Sequence, residues 1–182
     1  MKLIILDRDG VINEDSDQFI KSADEWIPIE GSLQAISRLN RAGFQVVVIT
    51  NQSGIGRGLF TIGDLNSIHE KMHNQLSVLG GHIESILYCP HHPDDHCECR
   101  KPKPGLFIDL KNRLGVSLDG IYAVGDSLRD LQAAQEVGAR PILVRTGKGE
   151  KTISNAIGLE NIPVYDNLSE FSHSLLANTS EF

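Results

Sequence analysis

Short runs of apolar residues alternate along this chain with segments in which apolar residues recur at helical spacing. One apolar run, "FQVVVIT" (Phe44–Thr50), is rich in β-branched residues, and another, Lys2–Asp7, lies near the N-terminus. Strands that are apolar along their whole length are buried on both faces, which is typical of parallel sheets. Because helices alternate with these strands, we predict an α/β fold in which a doubly wound parallel sheet is the middle of three layers.

The same periodicity predicts the extent of each element. The predicted strands are Lys2–Asp7, Phe44–Thr50, Ile83–Cys89, Gly120–Gly125, Pro141–Arg145 and Ile162–Tyr165. The predicted helices are Gly31–Ala42, one that Thr61 opens, Gly105–Leu114, Leu128–Val137 and Leu168–Leu176. We expect residues 1–176 to form a single domain and residues 177–182 to be a flexible tail.

Composition narrows the cellular setting and the class of partner. The 182 residues contain no apolar run close to the roughly 20 residues that cross a bilayer. Lys2 is followed by too few apolar residues for a signal peptide, so we expect a cytoplasmic protein that does not bind a membrane. The net charge of −7 argues against nucleic acid as a partner. We expect a monomer that acts on a small molecule.

Acidic and hydroxyl side chains follow the ends of three predicted strands. Asp7 and Asp9 follow the first strand, Thr50 ends the second, and Asp126 follows the fourth. In doubly wound sheets, ligands bind beyond the carboxyl ends of the strands. Carboxylates packed at one edge repel each other, and Mg²⁺ relieves that repulsion when phosphate is the other ligand. An isolated Asp-x-Asp-Gly stretch is also typical of a turn, but three acidic strand ends favour the metal site.

Two further stretches at this predicted edge suit an anion. "TNQSGIGRG" combines the Thr50 hydroxyl, several backbone N–H groups and Arg57 in one glycine-rich loop. "RKPKPG" adds Arg100, Lys101 and Lys103 after the third strand. Each stretch alone is also compatible with an ordinary solvated loop. The anion site is therefore predicted from their shared place at the sheet edge.

The stretch "CPHHPDDHCEC" contains all three cysteines of the chain. Clustered cysteines in a reducing compartment indicate a metal site more than disulfides. We predict a tetrahedral structural Zn²⁺ site that fixes the loop carrying Arg100 and Lys101. Its ligands would be Cys89, His91, Cys97 and Cys99, with His92 and His96 as competitors for the single histidine position. The alternative is a polar loop with reduced thiols and no metal.

Together, these residues resemble the four motifs of the haloacid dehalogenase (HAD) superfamily of phosphohydrolases. The first motif, "DRDGV", begins at Asp7, and the second is Thr50 after an apolar strand. The third is Lys101 of "CRKP", and the fourth is "GDSLRD", which contains Asp126 and Asp130. The motifs occur in the family's order, at the corresponding strands, over nearly the whole chain.

The resemblance implies a phosphoaspartyl mechanism on a Rossmann-like core with a minimal cap. In that mechanism Asp7 attacks phosphorus, and Asp9 protonates the leaving alkoxide and then activates water. The resemblance also implies that Mg²⁺ is held by Asp7, the main-chain carbonyl of Asp9 and Asp126. Thr50 and Lys101 would hold the phosphoryl oxygens. The second acid of the fourth motif would orient the lysine.

Four stretches, "DRDGVIN", "TNQSGIGRG", "CPHHP" and "CRKPKPG", narrow the resemblance within the superfamily. They are similar to phosphatases that remove the C7 phosphate of D-glycero-D-manno-heptose 1,7-bisphosphate, on the way to nucleotide-activated heptose and lipopolysaccharide core. The substrate contacts that this resemblance implies are Asp15, Ser16, Asp17, Gln18, Asn51, Gln52, Ser53 and Arg100, and we add Arg57 as a candidate anion contact. Some relatives carry lysine where this chain has Ser127, so no role is transferred to that position.

Three alternative functions are considered. Histidinol-phosphate phosphatases have similar motifs, but their second motif tends to read Asn-Gln-Asp-Gly where this chain has Ser53 before Gly54. A phosphorelay receiver domain has its phosphorylated aspartate after the third strand, which here ends in Cys89. A zinc-dependent nucleic-acid module is opposed by the net charge of −7 and by the lack of aromatic stacking residues within the cysteine loop itself.

Overall fold

The computed structural model describes residues 2–155 and 158–179. Its strands are β1 (Lys2–Leu6), β2 (Phe44–Asn51), β3 (Ser85–Cys89), β4 (Tyr122–Gly125), β5 (Arg140–Val144) and β6 (Val164–Tyr165). Its helices are α1 (Ser32–Arg41), α2 (Ser53–Gly56), α3 (Ile62–Val78), α4 (Gly105–Leu114), α5 (Leu128–Gln135), α6 (Gly149–Ser154) and α7 (Leu168–Thr179). The six strands form one parallel sheet in the order β3-β2-β1-β4-β5-β6.

The predicted α/β class and the doubly wound parallel sheet are confirmed. All six predicted strands and all five predicted helices are present, with ends that differ by up to three residues. The short helices α2 and α6 were not predicted, because four to six residues are too few to display a helical period. Helix α7 continues through Thr179, into the segment predicted to be a tail, and residues 180–182 lie outside the described part of the chain.

Alternation along the central strand β1 divides the core into two layers. Ile4 and Leu6 pack with apolar residues of α1, α3 and α7 on one face of the sheet. Leu3 and Ile5 pack with residues of α4 and α5 on the other face. Side chains of a strand alternate between faces, so an apolar run with helices on both sides produces the three predicted layers.

The strand order fixes where a ligand site can form. β1 is paired in parallel with β2 on one side and with β4 on the other, so their carboxyl ends meet at one edge. After β1 the chain adds β2 and β3 on one side of it and then β4, β5 and β6 on the other side. The reversal of strand order at β1 is the topological switch point of the sheet. The two longest loops at this edge are residues 7–31 and 90–104, and they take the place of a large cap domain in the described chain. Among the same residues, no helix has the length and apolarity required to cross a membrane.

Two glycines, one in the loop after β1 and one in the loop after β5, allow the backbone to approach the end of β4 closely. Gly10 has φ +82°, and a Cβ at this position would lie 2.0 Å from Oδ2 of Asp126. Gly147, with φ +58°, would place a Cβ 2.2 Å from the same oxygen. The Asp126 carboxylate therefore sits between two stretches of backbone that only glycine permits.

We predict that Gly10→Ala disrupts the Asp126 site far more than Gly43→Ala does. Gly43 also has a left-handed φ of +87°, but a Cβ there would meet nothing within 4 Å. Both variants carry the backbone strain of about 1 kcal/mol, and only Gly10→Ala must displace a carboxylate. Urea unfolding together with Mg²⁺ titration calorimetry measures both effects. Equal Mg²⁺ affinity in the two variants would contradict this assignment.

Candidate active site

A cavity of about 290 Å³ opens at the shared carboxyl edge of β1, β2 and β4. It brings together residues that lie far apart in the sequence. The predicted site residues that line it are Asp7, Asp9, Asp15, Ser16, Asp17, Thr50, Asn51, Gln52, Ser53, Arg57, Arg100, Lys101 and Asp126.

The ammonium group of Lys101 lies at the centre of this site. Its Nζ is 3.0 Å from Oδ1 of Asp7 and 2.8 Å from Oδ1 of Asp130, and it donates a 2.7 Å hydrogen bond to the carbonyl of Ile49. The Lys101 side chain is 3% exposed. Burial lowers its pKa, but the charges of Asp130 and Asp7 outweigh that effect and raise the pKa above the usual lysine value. Lys101 is therefore a fixed positive charge whose three N–H donors are all engaged.

Asp130 serves as the structural partner of Lys101. Its Oδ2 accepts hydrogen bonds from the backbone N–H of Ser127 (3.0 Å) and from the Ser127 hydroxyl (2.7 Å), which forms a capping box at the start of α5. Burial works in the opposite direction, but Lys101 and Ser127 hold the pKa of Asp130 below its usual value. Asp130 thus remains ionised, and its contact with Lys101 agrees with the orienting role expected for it.

Asp7 and Asp126 are carboxylates in an unfavourable environment. Burial raises the pKa of Asp7 to about 7, although Lys101 opposes this, and burial with the charges of Asp130 and Asp7 raises the pKa of Asp126 to about 8. One oxygen from each of Asp7, Asp126 and Asp130 lies within 4.8 Å of the others. Buried carboxylates that repel each other at this spacing fit a hard divalent cation such as Mg²⁺. Asp130 is already held by Lys101 and Ser127, so Asp7 and Asp126 are the side chains available to the ion.

The environment of Asp9 is the opposite of that of Asp7. Its carboxylate accepts hydrogen bonds from Arg8, from Nδ2 of Asn13 (2.9 Å) and from Nε2 of Gln52 (3.0 Å). Burial raises the pKa of Asp9, but the charge of Arg8 and these hydrogen bonds bring it below the usual value. With its side chain engaged in this way, Asp9 can offer a metal its main-chain carbonyl, as the family resemblance implies.

The residues that follow β2 are held by their own side chains. Thr50 is fully buried, and its Oγ1 accepts a 2.9 Å hydrogen bond from Nε2 of Gln52. Asn51 forms two 3.1 Å hydrogen bonds with the backbone of Lys101, one through each end of its amide. The amides of Asn51 and Gln52, predicted as substrate contacts, therefore already join the β2 loop to Lys101 and to Asp9.

Gln18 is the one predicted substrate contact that the structure places outside the cavity lining. Its backbone N–H donates to Oγ of Ser16 and its carbonyl accepts from Nζ of Lys21, which closes an exposed turn. Phe19 then adopts a left-handed conformation, with φ +65°, and turns the chain back so that Phe19 and Ile20 line the cavity. The four-residue motif gives no indication of this turn, and a contact between Gln18 and substrate stays a prediction.

Three arginines surround the mouth of the cavity. Arg57 and Arg100 were predicted, and Arg129 at the start of α5 was missed. Within the described residues none of them forms an ion pair with a carboxylate, and Nη1 of Arg100 is buried without a hydrogen-bond partner. Burial lowers the pKa of the Arg100 guanidinium, and the nearby charges of Arg129 and Arg57 lower it further. These three guanidinium groups are therefore the part of the cavity lining that can bind an anion.

Lys148, in the loop after β5, also lines the cavity and was not predicted. Its ammonium is paired with Asp15, and its backbone N–H donates a 2.7 Å hydrogen bond to Oδ2 of Asp126. Inspection of the residues after β5 would have found Lys148, and the same inspection after β4 would have found Arg129. Both follow from the rule that ligands lie beyond the strand ends.

The predicted zinc ligands form one cluster beside this cavity. The Sγ atom of Cys89 lies 3.6 Å from that of Cys97 and 3.2 Å from that of Cys99, and Nδ1 of His91 lies 3.1 Å from Sγ of Cys99. In tetrahedral zinc sites with Zn–S bonds of about 2.3 Å, the sulfur atoms are about 3.8 Å apart, so the donor set fits Zn²⁺. His92 is engaged elsewhere, since its Nδ1 accepts a hydrogen bond from the backbone of Asp94. Among the described residues, the cysteine and histidine side chains close enough together to hold one metal ion are those of Cys89, His91, Cys97 and Cys99.

The HAD-hydrolase-like family model matches residues 98–171. The chain is 55% identical over 176 residues to D-glycero-beta-D-manno-heptose-1,7-bisphosphate 7-phosphatase of Bordetella bronchiseptica, covering 97% of this chain and 98% of that protein. It is 53% identical to the protein of the same name from Neisseria meningitidis, covering 97% and 95%.

Solved structures give the same relatives. The crystal structure of D,D-heptose 1,7-bisphosphate phosphatase from B. bronchiseptica, complexed with magnesium and phosphate, superimposes with a TM-score of 0.96 at 54% identity, covering 98% of this chain and 99% of that one. The enzyme of that name from Burkholderia thailandensis gives a TM-score of 0.78 at 43% identity, covering 97% and 99%. The magnesium in the first structure agrees with the ion for which the carboxylates here are suited.

We predict that Mg²⁺ stabilises the protein more at pH 8 than at pH 5. Without metal, the folded state keeps protons on Asp7 up to about pH 7 and on Asp126 up to about pH 8, whereas the unfolded chain releases them near pH 4. The free energy of unfolding of the metal-free protein therefore falls as the pH rises between these values. Ionised carboxylates bind Mg²⁺ without first losing a proton, and at about 100 times its Kd the ion adds about 2.7 kcal/mol.

Thermal unfolding with and without Mg²⁺ at the two pH values measures this difference. Asp126→Asn is the control, because it removes one Mg²⁺ ligand together with its raised pKa. In this variant we expect the Mg²⁺-induced shift in Tm to be nearly the same at pH 5 and pH 8. An equal Mg²⁺-induced shift in Tm at pH 5 and pH 8 would show that these carboxylates are not the ligands.

Proposed function

We propose that this chain, which belongs to the family of D-glycero-beta-D-manno-heptose-1,7-bisphosphate 7-phosphatases among the HAD-like hydrolases, hydrolyses the C7 phosphate of a heptose 1,7-bisphosphate. The relatives named above carry the name of this activity and match nearly the full chain. The assignment to one substrate class is supported by the cavity itself.

The observation that carries the proposal is a group of three arginines that form no ion pair with any carboxylate of residues 2–155 and 158–179. Arg57, Arg100 and Arg129 line the same cavity as the carboxylates, in a chain whose net charge is −7. One phosphate, the one to be removed, is placed beside Asp7 and Lys101. The arginines are then free to bind the second phosphate of a bisphosphate, and guanidinium groups match phosphate oxygens in charge and in geometry.

The same observation disfavours histidinol phosphate. That substrate has a single phosphate, and its other end carries an amine that is positive at neutral pH. An ammonium group placed near Arg57, Arg100 and Arg129 would be repelled, and the guanidinium groups would have no anion to bind. The arginines therefore favour a substrate that is negative at both ends.

The chain's own residues are arranged for transfer of the phosphoryl group to Asp7. Thr50 and Lys101 would bind the oxygens of the transferring group, with a phosphoryl oxygen replacing Asp7 Oδ1 at Nζ of Lys101. Asp130 and the carbonyl of Ile49 preorganise that ammonium group. Asp7 forms the bond to phosphorus, while Asp9 gives a proton to the leaving oxygen of the sugar. Asp9 then takes a proton from the water that hydrolyses the aspartyl phosphate. When bound, Mg²⁺ supplies positive charge that offsets the repulsion between nucleophile and phosphate.

To donate a proton, Asp9 must first be protonated, although the hydrogen-bond donors around it favour the ionised carboxylate. In this structure its carboxylate is stabilised in the ionised form. A phosphate dianion beside it raises the pKa of a carboxyl group through like-charge repulsion. We infer that substrate binding prepares Asp9 to act as the acid.

We further propose that the protein acts as a monomer in the cytoplasm, with Zn²⁺ in a structural role. This chain by itself supplies the proposed nucleophile, the carboxylates for Mg²⁺, Lys101 and the arginines. The cysteine and histidine cluster supplies four donors, which leaves a tetrahedral zinc ion no open position for substrate. Zinc would fix the loop that leads directly into Arg100 and Lys101.

We predict that replacing the arginines affects the bisphosphate selectively. Arg57→Gln, Arg100→Gln and Arg129→Gln should each raise the KM for heptose 1,7-bisphosphate about 10-fold, because each removes a charge-assisted hydrogen bond. The KM for heptose 7-phosphate, which lacks the second phosphate, should change little. Release of inorganic phosphate measures both. Arg113→Gln is the matched control, since Arg113 is exposed on α4 and paired with Asp109.

The substrate assignment is tested with the unaltered protein. It should hydrolyse heptose 1,7-bisphosphate with a much higher kcat/KM than histidinol phosphate. Faster turnover of histidinol phosphate would overturn the assignment. If the arginine variants raise the KM for heptose 7-phosphate as much as the KM for heptose 1,7-bisphosphate, the arginines do not bind the second phosphate.

A further inference from the structure

Arg8 lies between the two aspartates of the first motif, and its side chain is fully buried. The guanidinium turns back onto its neighbour. Its Nε donates to Oδ1 of Asp9 at 3.0 Å, and its Nη2 donates to Oδ1 at 2.9 Å and to Oδ2 at 3.2 Å. This two-pronged contact fixes the plane of the Asp9 carboxylate, because the guanidinium is itself planar and rigid.

The remaining side of this guanidinium contacts helix α3. Nη1 of Arg8 is 3.1 Å from Nε2 of His69. His69 is buried, and burial, with the charge of Arg8, lowers its pKa to about 3, so the imidazole is neutral. An arginine can only donate, so Nε2 of His69 must accept, and the ring proton resides on Nδ1. Among the described residues His69 is the partner recorded for Nη1.

We propose that His69 is a positioning residue, which acts through Arg8 to hold the Asp9 carboxylate where it exchanges protons with the substrate and with water. His69 is anchored by the long helix α3, whose residues Ile68 and Met72 belong to the core. The core helix thus holds the imidazole of His69, the imidazole contacts the guanidinium of Arg8, and the guanidinium contacts the carboxylate of Asp9. Without His69, Arg8 keeps its charge but loses one of the two contacts that fix its orientation. The inference rests on the proposed function only for the role of Asp9.

The measurement that distinguishes positioning of Asp9 from a general structural role is how kcat/KM depends on the leaving group. kcat/KM reports the steps up to transfer of the phosphoryl group to Asp7, in which Asp9 protonates the departing oxygen. A sugar alkoxide is a strong base and needs that proton, whereas p-nitrophenolate is a weak base and departs without it. A defect in positioning Asp9 therefore affects the sugar substrate selectively, and a general distortion of the site affects both substrates.

The experiment compares His69→Leu with His69→Gln, whose carbonyl oxygen can replace Nε2 as the acceptor. His69→Leu should lower kcat/KM for heptose 1,7-bisphosphate about 10-fold and leave p-nitrophenyl phosphate within about twofold. The KM for the bisphosphate should stay close to the unaltered value, and His69→Gln should recover most of the loss. His73→Leu, an exposed histidine one turn further along α3, is the matched control. Thermal unfolding verifies that each variant is folded.

Equal losses on both substrates in a folded His69→Leu, or no recovery in His69→Gln, would overturn the proposal. If His69→Leu does not fold, His69→Met takes its place, because a thioether is only a weak acceptor. It should show the same leaving-group selectivity, and equal losses on both substrates would overturn the proposal. Asp9→Asn separates the proposed role of Asp9 as the acid from the proposed role of His69 in positioning it. It should show the same selectivity to a larger degree, and equal loss on both substrates in Asp9→Asn would contradict the proposed function of Asp9 itself.

Discussion

The buried ammonium of Lys101 is the interaction on which the site depends. It lies between Asp7 at the end of β1 and Asp130 at the start of α5, and it donates to the carbonyl of Ile49 in β2. Three segments that are distant in sequence are thus joined through one charge. Breaking a buried ion pair by removing one partner leaves the others uncompensated. Without Lys101, Asp7 and Asp130 would repel each other without the cation that they share.

The position of Lys101 in turn depends on the loop that carries it. Cys99, Arg100 and Lys101 are consecutive, so a zinc ion held by the cysteine and histidine cluster would fix the backbone two residues before the lysine. Asn51 then holds the lysine backbone itself through two hydrogen bonds. The zinc loop and the end of β2 together convert a flexible side chain into a preorganised charge, which is what stabilisation of a transferring phosphoryl group requires.

The sequence was sufficient to predict the fold and the strand ends at which the aspartates lie, since continuous apolar strands and the residues that follow them carry that information locally. It was insufficient where the outcome depends on a tertiary contact or on an unusual backbone conformation. The turn at the left-handed Phe19, which leaves Gln18 outside the cavity lining, has no signal in the local sequence. The Arg8–His69 contact joins residues 61 positions apart, and no local pattern indicates it. Arg129 and Lys148 were missed because strand-end inspection was not extended to them.

The central claim is that Asp7 carries the phosphoryl group during turnover. Acid quenching of the enzyme during hydrolysis of heptose 1,7-bisphosphate, followed by borohydride reduction and peptide mass spectrometry, tests it directly, because reduction converts an aspartyl phosphate into homoserine. The account predicts homoserine at position 7 in the unaltered protein and none when substrate is omitted. Homoserine at another aspartate, or steady turnover with residue 7 always recovered as aspartate, would contradict it.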